Sequence, residues 1–275
     1  MNNLVYIVLD SLRYDTFQAA KTPNIDRLAG GAERRYSYAS WTSPSHYVYL
    51  MGLTPHLNTK GVFASEVYKE DFKKWTMRLG FSNLEFKSFA PELSLPNKLR
   101  KMGYYTVAKV SMPVLNERTT FSMYFDEYKL MQNHNDFYGM IEEMEFDASK
   151  PRFYFLNLGE THYPYMLQKQ DLPRLHGVHG VFKHLDDYLT DYGTKGSGND
   201  EFFSMDQLKK LHKQQIECVE YIDGVMEKLY QKLPANTHLI ITSDHGELFG
   251  EAGYFGHGPV FHEKAFEVPF IEGKL

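Results

Sequence analysis

A run of apolar residues near the C-terminus stops abruptly at charged side chains, and this stretch most constrains the fold. Residues 240–243 are rich in β-branched side chains, and Asp244 and His245 follow them directly, with a glycine next. A buried strand that delivers metal ligands at its carboxyl end has this pattern. We therefore expect a strand here whose end forms part of a functional site.

Composition excludes several classes of protein. The chain has 275 residues, a formal net charge of −5 and one cysteine. The charge gives no general attraction to nucleic acid or to a membrane surface, so we expect neither partner. Cys218 alone excludes an intramolecular disulfide and a multi-cysteine zinc site. The apolar run at residues 4–9 is too short for a signal peptide or a membrane span, which predicts a cytoplasmic protein.

The same N-terminal run is typical of a central parallel strand, and it ends at Asp10. In open α/β sheets, ligand sites lie outside the carboxyl ends of the strands. Asp10 is therefore a candidate metal ligand, as are Asp244 and His245. The alternative is that Asp10 only caps a turn, which is a common position for an isolated aspartate.

A hydroxyl group completes this set of candidates. Pro44 can begin a helix and Gly52 can end it, so the hydroxyls of Thr42 and Ser43 would stand at the helix N-terminus. Unpaired N–H groups and the positive end of the helix dipole attract anions there. Taken alone, such a hydroxyl is an N-cap, a nucleophile or both.

The remaining pattern alternates strands with helices. Helices are expected over residues 22–29, 95–102 and 133–145 and from Ser204 onward, and strands over residues 104–110 and 152–158. This alternation predicts an α/β fold, with a mainly parallel central sheet and helices on both faces, in a single domain spanning residues 1–275. Residues 54–90 and 166–203 contain no readable chemistry, and we expect substrate selectivity to come from them.

Histidines also follow predicted strands. His162 lies just beyond the strand at residues 152–158, and His257 and His262 lie downstream of His245. Two carboxylates, an imidazole and a hydroxyl oxygen suit one divalent ion, Mn²⁺ or Zn²⁺, and the oxygen-rich shell also permits Mg²⁺ or Ca²⁺. Four further side chains could hold a second ion, namely Glu160, His162, His257 and His262.

Taken together and in order, these motifs resemble the alkaline phosphatase superfamily and, within it, the sulfatase-like branch. The matching segments are residues 8–15, 22–29, 42–46, 103–106, 162–165, 243–247 and 268–270, which include Thr-Ser-Pro-Ser-His, His-Tyr-Pro-Tyr and Ser-Asp-His-Gly-Glu. The resemblance implies that Asp10, Asp244 and His245 bind a metal. It implies that Thr42 is the nucleophile and also touches that metal.

The same resemblance gives roles to the histidines. His162 and His257 fall where the family has side chains that contact the substrate or assist the leaving group. His46 and His262 are further candidates for substrate binding. The expected partner is a small-molecule phosphate or sulfate ester.

Departures from the family pattern favour one reaction over another. Sulfatases of this branch have Cys or Ser, converted to formylglycine, at the position of Thr42, and Arg at the position of His46. Threonine cannot form that aldehyde. Ser11 and Ser111 stand where the family usually has an aspartate and a lysine. With threonine at the nucleophile position, the chain instead resembles the phosphodiesterase, phosphonate-hydrolase and phosphoglycerol-transferase members of the superfamily.

The sequence therefore predicts a metal-dependent hydrolase or transferase that acts on phosphate esters or phosphonates through a metal-activated Thr42. The first alternative is a sulfatase-like sulfuric ester hydrolase that works without formylglycine. The second is a catalytically silent relative that binds a metal and a phosphorylated ligand.

Overall fold

The computed structural model describes residues 1–52, 77–78, 80, 94–165, 182–183, 203–258 and 260–275. Most of the two stretches expected to select the substrate, residues 54–90 and 166–203, lies outside the described residues. The strands are β1 (Asn3–Leu9), β2 (Glu33–Tyr36), β3 (Tyr105–Val110), β4 (Glu127–Leu130), β5 (Arg152–Leu158), β6 (Phe182–Lys183), β7 (Thr237–Ser243), β8 (Leu248–Phe249), β9 (Tyr254–Gly256) and β10 (Glu267–Lys274). The α-helices are α1 (Tyr14–Ala19), α2 (Pro23–Ala29), α3 (Thr42–Met51), α4 (Leu95–Lys101), α5 (Phe137–Glu142), α6 (Met205–Lys232) and α7 (Glu263–Phe266).

The main sheet brings the carboxyl ends of its central strands to one level. Its strand order is β2-β10-β7-β1-β5-β3-β4, and β7, β1, β5, β3 and β4 run parallel. Strand β10 is antiparallel to both of its neighbours. Leu9 at the end of β1 pairs with Leu158 of β5 and with Ser243 of β7. The residues that directly follow these three positions therefore meet at one sheet edge.

Helices cover both faces of this sheet because side chains of a strand alternate between its faces. Val5, Ile7 and Leu9 of β1 pack into one apolar core with residues of α1, α2, α5 and α6. Val8 packs into a second core, on the other face, with residues of α3 and α4. The predicted fold class, a mainly parallel sheet with helices on both faces, is confirmed.

The long helix α6 forms where the sequence predicts it. The Ser204 hydroxyl accepts a hydrogen bond from the Gln207 N–H (3.3 Å), and the Gln207 side chain accepts one from the Ser204 N–H (2.8 Å), which completes a capping box. The apolar side chains on one face of this helix are buried, at Leu208, Leu211, Cys218, Val219, Ile222, Val225, Met226 and Leu229. In the described part of the chain, no helix is both long enough and apolar enough to cross a membrane.

The helix expected over residues 133–145 is shorter, and this prediction of its length was wrong. Helix α5 begins at Phe137 because Asp136 caps it, with a carboxylate that accepts from the Gly139 N–H (3.0 Å). Asn and Asp side chains bind nearby backbone groups and so favour caps and turns over helix interiors.

A small antiparallel sheet is formed mostly by the segment after β7. Strands β8 and β9 form a hairpin, and β6 adds to the other side of β9. Phe249 and Phe255 of this hairpin pack with Tyr163 and Tyr165, from the segment after β5, in a third apolar cluster. The hairpin is therefore anchored beside the edge at which β1, β5 and β7 end.

Candidate active site

Three acidic and imidazole side chains meet at the carboxyl ends of β1 and β7. Asp10, Asp244 and His245 are fully buried, and one potential ligand atom of each lies within 4.8 Å of the other two. The His245 Nε2 atom is 3.3 Å from Asp244 Oδ2 and 3.9 Å from Asp10 Oδ1. The structure thus groups the three side chains that the sequence predicts as metal ligands, and their binding of an ion stays a prediction.

The backbone next to these side chains has unusual requirements at two residues, Ser11 and Gly246. Ser11 has a φ of 65°, in the left-handed region that non-glycine residues rarely adopt, and its N–H donates to Asp244 Oδ1 (3.0 Å). The His245 N–H donates to the same oxygen (3.0 Å). At Gly246, a Cβ atom would overlap the carbonyl oxygen of Lys264. The tight turn after Asp244 therefore requires glycine.

The remaining atoms of this group have the chemistry that a divalent cation needs. Asp244 Oδ2 is buried and has no hydrogen-bond partner among the described residues. The Nδ1 atom of His245 lies 2.9 Å from the Gly246 carbonyl oxygen, which can only accept, so Nδ1 carries the hydrogen and Nε2 keeps its lone pair. An unpaired buried carboxylate oxygen is costly unless a cation compensates it. The donor set fits Zn²⁺ or Mn²⁺, and its oxygens also suit Mg²⁺ or Ca²⁺.

The charges of the two buried carboxylates also favour a bound cation. Burial and the neighbouring Asp10 carboxylate raise the pKa of Asp244 well above its usual range. Burial also disfavours the Asp10 carboxylate, but nearby imidazoles and the Asn157 amide, which donates to Asp10 Oδ2 (3.0 Å), hold its pKa below the usual value. Two buried carboxylates side by side favour either a shared proton or a cation.

Thr42 is the residue whose hydroxyl lies beside the candidate metal ligands. It is the first residue of α3, it is 5% exposed, and its Oγ1 atom lies 3.3 Å from His245 Nε2. The residue in the N-cap position is Trp41, which makes no side-chain capping bond. The hydroxyl is therefore directed at the candidate metal ligands, which is the arrangement that a nucleophile needs.

Two of the predicted histidines lie against this group. The ring of His257 is 4.3 Å from that of His245, and the ring of His162 is 5.1 Å from that of His257, measured between centroids. Burial lowers the pKa of His162, whose Nδ1 atom donates to the Tyr163 carbonyl (2.6 Å). The His257 Nδ1 atom instead faces the Glu247 carboxylate (2.9 Å).

Glu247 and Asn157 are site residues to which sequence analysis assigned no role. Asn157 lies on β5 and holds Asp10 in place from the neighbouring strand. An amide inside an otherwise apolar strand was a signal that could have identified it. Glu247 belongs to the motif Ser-Asp-His-Gly-Glu, but only the hairpin of β8 and β9 places it next to His257.

The structure does not support a substrate contact by His46. Its side chain is fully buried among the rings of Tyr49, Phe121 and Phe155, and burial lowers its pKa to about 4. Its Nδ1 atom lies 2.8 Å from the carbonyl oxygen of Thr42, one helical turn back. The neutral ring therefore lies in the buried aromatic surroundings of the site, with its Nδ1 atom 3.9 Å from Asp244 Oδ2.

His262 and Glu160 also lie elsewhere than expected. The His262 Nδ1 atom accepts from the Lys264 N–H (3.2 Å) and so caps α7, which argues against a substrate contact. Glu160 turns toward α5, where its carboxylate accepts from the Phe137 N–H (2.8 Å). Within the described ranges, Asp10, Asp244 and His245 are the only group of three or more such side chains with metal-ligand spacing. A second ion held by Glu160, His162, His257 and His262 is therefore not supported.

Solved structures share this fold at low sequence identity. The C-terminal periplasmic domain of EptC from Escherichia coli, solved in complex with Zn, has a TM-score of 0.62 and 13% identity, over 99% of this chain and 72% of that chain. The lipoteichoic acid synthase LtaP from Listeria monocytogenes has a TM-score of 0.58 and 13% identity, over 99% and 65%. The C-terminal periplasmic domain of the phosphoethanolamine transferase EptC from Campylobacter jejuni has a TM-score of 0.53 and 14% identity, over 98% and 78%.

These structures correct one prediction. A cytoplasmic location was expected from the short N-terminal apolar run, but two of the proteins with the same fold are periplasmic domains. The shared fold therefore gives no support to a cytoplasmic location.

The family is shown by the sequence itself. No curated protein matches the chain significantly, whereas the family model described as Sulfatase matches residues 2–271. Membership supports hydrolase or transferase chemistry on sulfate or phosphate esters. With its sheet, its candidate metal ligands and a match over nearly all of its length, the chain belongs to the Sulfatase family, in the sulfatase-like branch of the alkaline phosphatase superfamily.

Proposed function

We propose that this protein is a metal-dependent hydrolase or transferase of phosphate esters whose nucleophile is Thr42. The observation that best supports this is the 3.3 Å separation of Thr42 Oγ1 from His245 Nε2, beside two buried carboxylates. Family membership leaves sulfate and phosphate esters open. Threonine favours phosphate, because it cannot be converted to the formylglycine on which sulfatases depend.

Asp10, Asp244, His245 and the Thr42 hydroxyl would hold one divalent ion. When bound, the ion supplies positive charge that acidifies a hydroxyl and stabilises the charge of a transferring phosphoryl group. The protein's own contribution is to position these groups. Asn157 and Ser11 orient the two carboxylates, and the Gly246 carbonyl sets the tautomer of His245.

In the first step, a bond forms between Thr42 Oγ1 and phosphorus while the bond from phosphorus to the leaving oxygen breaks. One proton moves in net from the Thr42 hydroxyl to the leaving oxygen, and we assign its delivery to His162 or His257. In the second step, water or an acceptor alcohol attacks phosphorus. The bond to Oγ1 breaks, and a proton passes from the attacking group back to Thr42.

The names of two proteins with this fold are consistent with phosphoryl chemistry. One is a phosphoethanolamine transferase and another a lipoteichoic acid synthase. At 13% to 14% identity they support the fold alone, so the threonine and its surroundings remain the basis of the proposal.

Replacing the nucleophile gives the largest effect that we predict. Thr42→Ala should lower turnover of aryl phosphate mono- and diesters by on the order of 10⁴-fold or more, because it removes the attacking oxygen. Thr42→Ser is the matched control, since it keeps a hydroxyl at the same place and should keep part of the activity. Turnover is measured with purified protein supplied with Mn²⁺ or Zn²⁺, and unchanged activity of Thr42→Ala would refute the mechanism.

Parallel assays separate the remaining alternatives. Faster turnover of 4-nitrophenyl sulfate than of 4-nitrophenyl phosphate would assign the protein to sulfuric ester hydrolysis. Metal binding without turnover of any ester would identify a catalytically silent relative.

A further inference from the structure

Glu247 is a buried carboxylate whose two oxygens both have side-chain partners. It is 1% exposed, Oε1 lies 2.9 Å from His257 Nδ1, and Oε2 accepts from the Tyr165 hydroxyl (2.8 Å). Because both oxygens are occupied, Glu247 has little freedom to bind a ligand itself. Its environment is that of a residue that holds another residue in place.

The β8–β9 hairpin explains why Glu247 meets His257. Leu248 pairs with Gly256 in the antiparallel ladder, so the preceding residue, Glu247, and the following residue, His257, occupy the next opposed positions. Tyr165 approaches the same carboxylate from the segment after β5. Glu247 thus holds the His257 ring from across the hairpin, and Tyr165 holds Glu247 from another segment.

The carboxylate also determines which nitrogen of His257 holds a hydrogen. A carboxylate only accepts, so the hydrogen between Glu247 and His257 belongs to Nδ1, and Nε2 is the nitrogen left for chemistry. The ring lies among the candidate site residues, 4.3 Å from that of His245 and 5.1 Å from that of His162. Ser11 Oγ, 3.4 Å from the same Nδ1, is a more distant second neighbour.

From this geometry we infer that Glu247 is a positioning residue that, held by Tyr165, fixes the His257 ring and its Nδ1–H tautomer, so that the Nε2 lone pair takes up the proton released by the Thr42 hydroxyl and passes it to the leaving oxygen. This inference rests on the proposed function and chooses between its two histidines. The Nδ1 atom of His162 bonds to the carbonyl of the adjacent residue, whereas that of His257 bonds to a buried carboxylate from the other arm of the hairpin, which orients the ring as the aspartate of a Ser-His-Asp triad orients its histidine.

A series of leaving groups tests this role. A poor leaving group such as phenolate needs a proton as the ester bond breaks, whereas 2,4-dinitrophenolate departs without one. Glu247→Gln should therefore lower kcat/KM for phenyl phosphate by about 10-fold to 100-fold and that for 2,4-dinitrophenyl phosphate by less than about 3-fold. Tyr165→Phe, which removes one hydroxyl, should shift the same ratio in the same direction by a smaller factor.

Two controls isolate the effect. Glu267→Gln alters another buried glutamate with two side-chain partners, Arg34 and Lys264, and should leave the ratio between the two esters unchanged. In a His257→Asn background, Glu247→Gln should produce no further change in that ratio, because the residue acts through His257. An equal loss with both esters would show that Glu247 is only structural and would overturn the inference.

A spectroscopic measurement is independent of turnover. The ¹⁵N shifts of imidazole distinguish the Nδ1–H from the Nε2–H tautomer, and His257 can be assigned among the 12 histidines by its absence from the His257→Asn spectrum. We expect the Nδ1–H form in the wild type and its loss in Glu247→Gln. An unchanged tautomer would refute the inference, whereas the expected tautomer in a protein that hydrolyses neither ester would refute the proposed function alone.

Discussion

Asp244 and Glu247 lie three residues apart in one motif, and their surroundings differ. Asp244 accepts two backbone N–H groups at Oδ1 and has no partner at Oδ2 among the described residues. Glu247 has a side-chain partner at each oxygen. The backbone orients the first carboxylate and leaves one of its oxygens without a partner, while both oxygens of the second have side-chain partners. One short turn thus carries both a proposed metal ligand and a proposed positioning residue.

Glu160 shows that an unpartnered oxygen alone does not make a metal ligand. It too is buried, with one oxygen bonded to the Phe137 N–H and the other without a partner in the described part of the chain. Yet it belongs to no group of three or more side chains at metal-ligand spacing there. Asp244 differs from Glu160 because Asp10 and His245 lie beside it at metal-ligand spacing.

The strongest test of the difference between Asp244 and Glu247 is to remove the charge of Asp244. Asp244→Asn should lower turnover of an aryl phosphate by on the order of 10³-fold, because it removes a charge that the ion needs. The substitution also relieves repulsion between two buried carboxylates, so the metal-free variant should melt no lower than the wild type. Steady-state kinetics and thermal denaturation measure both outcomes, and activity near the wild-type level would remove Asp244 from the site.

Metal binding separates the two residues directly. At a free Zn²⁺ or Mn²⁺ concentration of 1,000 times Kd, binding should stabilise the wild type by about 4 kcal/mol. Glu247→Gln should retain most of this gain, whereas Asp244→Asn should lose it. Thermal denaturation with and without the ion tests this, and equal losses in both variants would show that the carboxylates do not have separate roles.

A smaller predicted effect is the dependence of folding stability on pH that Glu160 causes. Burial raises the pKa of Glu160 from its ordinary 4.5 to about 7. The folded state therefore binds this proton more tightly than the unfolded state, so the stability it contributes is fully present below pH 4.5 and is lost as pH rises through about 7.

Glu160→Gln should remove this loss of folding stability with rising pH, which amounts to at most about 3 kcal/mol between pH 5 and pH 8. Urea unfolding of the metal-free protein at the two pH values measures it. An identical pH dependence in wild type and variant would show that Glu160 does not titrate in this range. Metal-induced stabilisation should survive the substitution, in contrast to Asp244→Asn.

Much of the fold was predictable because local patterns agree with the tertiary structure. The apolar runs that end at Asp10 and Asp244 are central strands, and α6 begins at the capping box formed by Ser204 and Gln207. Parallel strands place their carboxyl ends at one edge, so the meeting of Asp10 with Asp244 and His245 also follows from the order of elements.

Other parts of the site could not be predicted in this way. His46 and His262 stand in motifs at the right places along the chain, but one ring is buried behind Thr42 and the other caps a helix. Which way a side chain turns depends on packing against distant segments. Sequence position does not contain that information.

The sequence by itself determined the strand ends, the candidate ligands and the threonine on which the proposed phosphoryl transfer rests, because these depend on residue type and on local periodicity. Only the tertiary structure decided how the hydrogen bonds of the site are distributed. Glu247 faces His257 because an antiparallel hairpin sets their register, and Asp244 keeps an oxygen for a ligand because the turns at Ser11 and His245 satisfy the other. Contacts of this kind join segments far apart in the chain, and no local pattern specifies them.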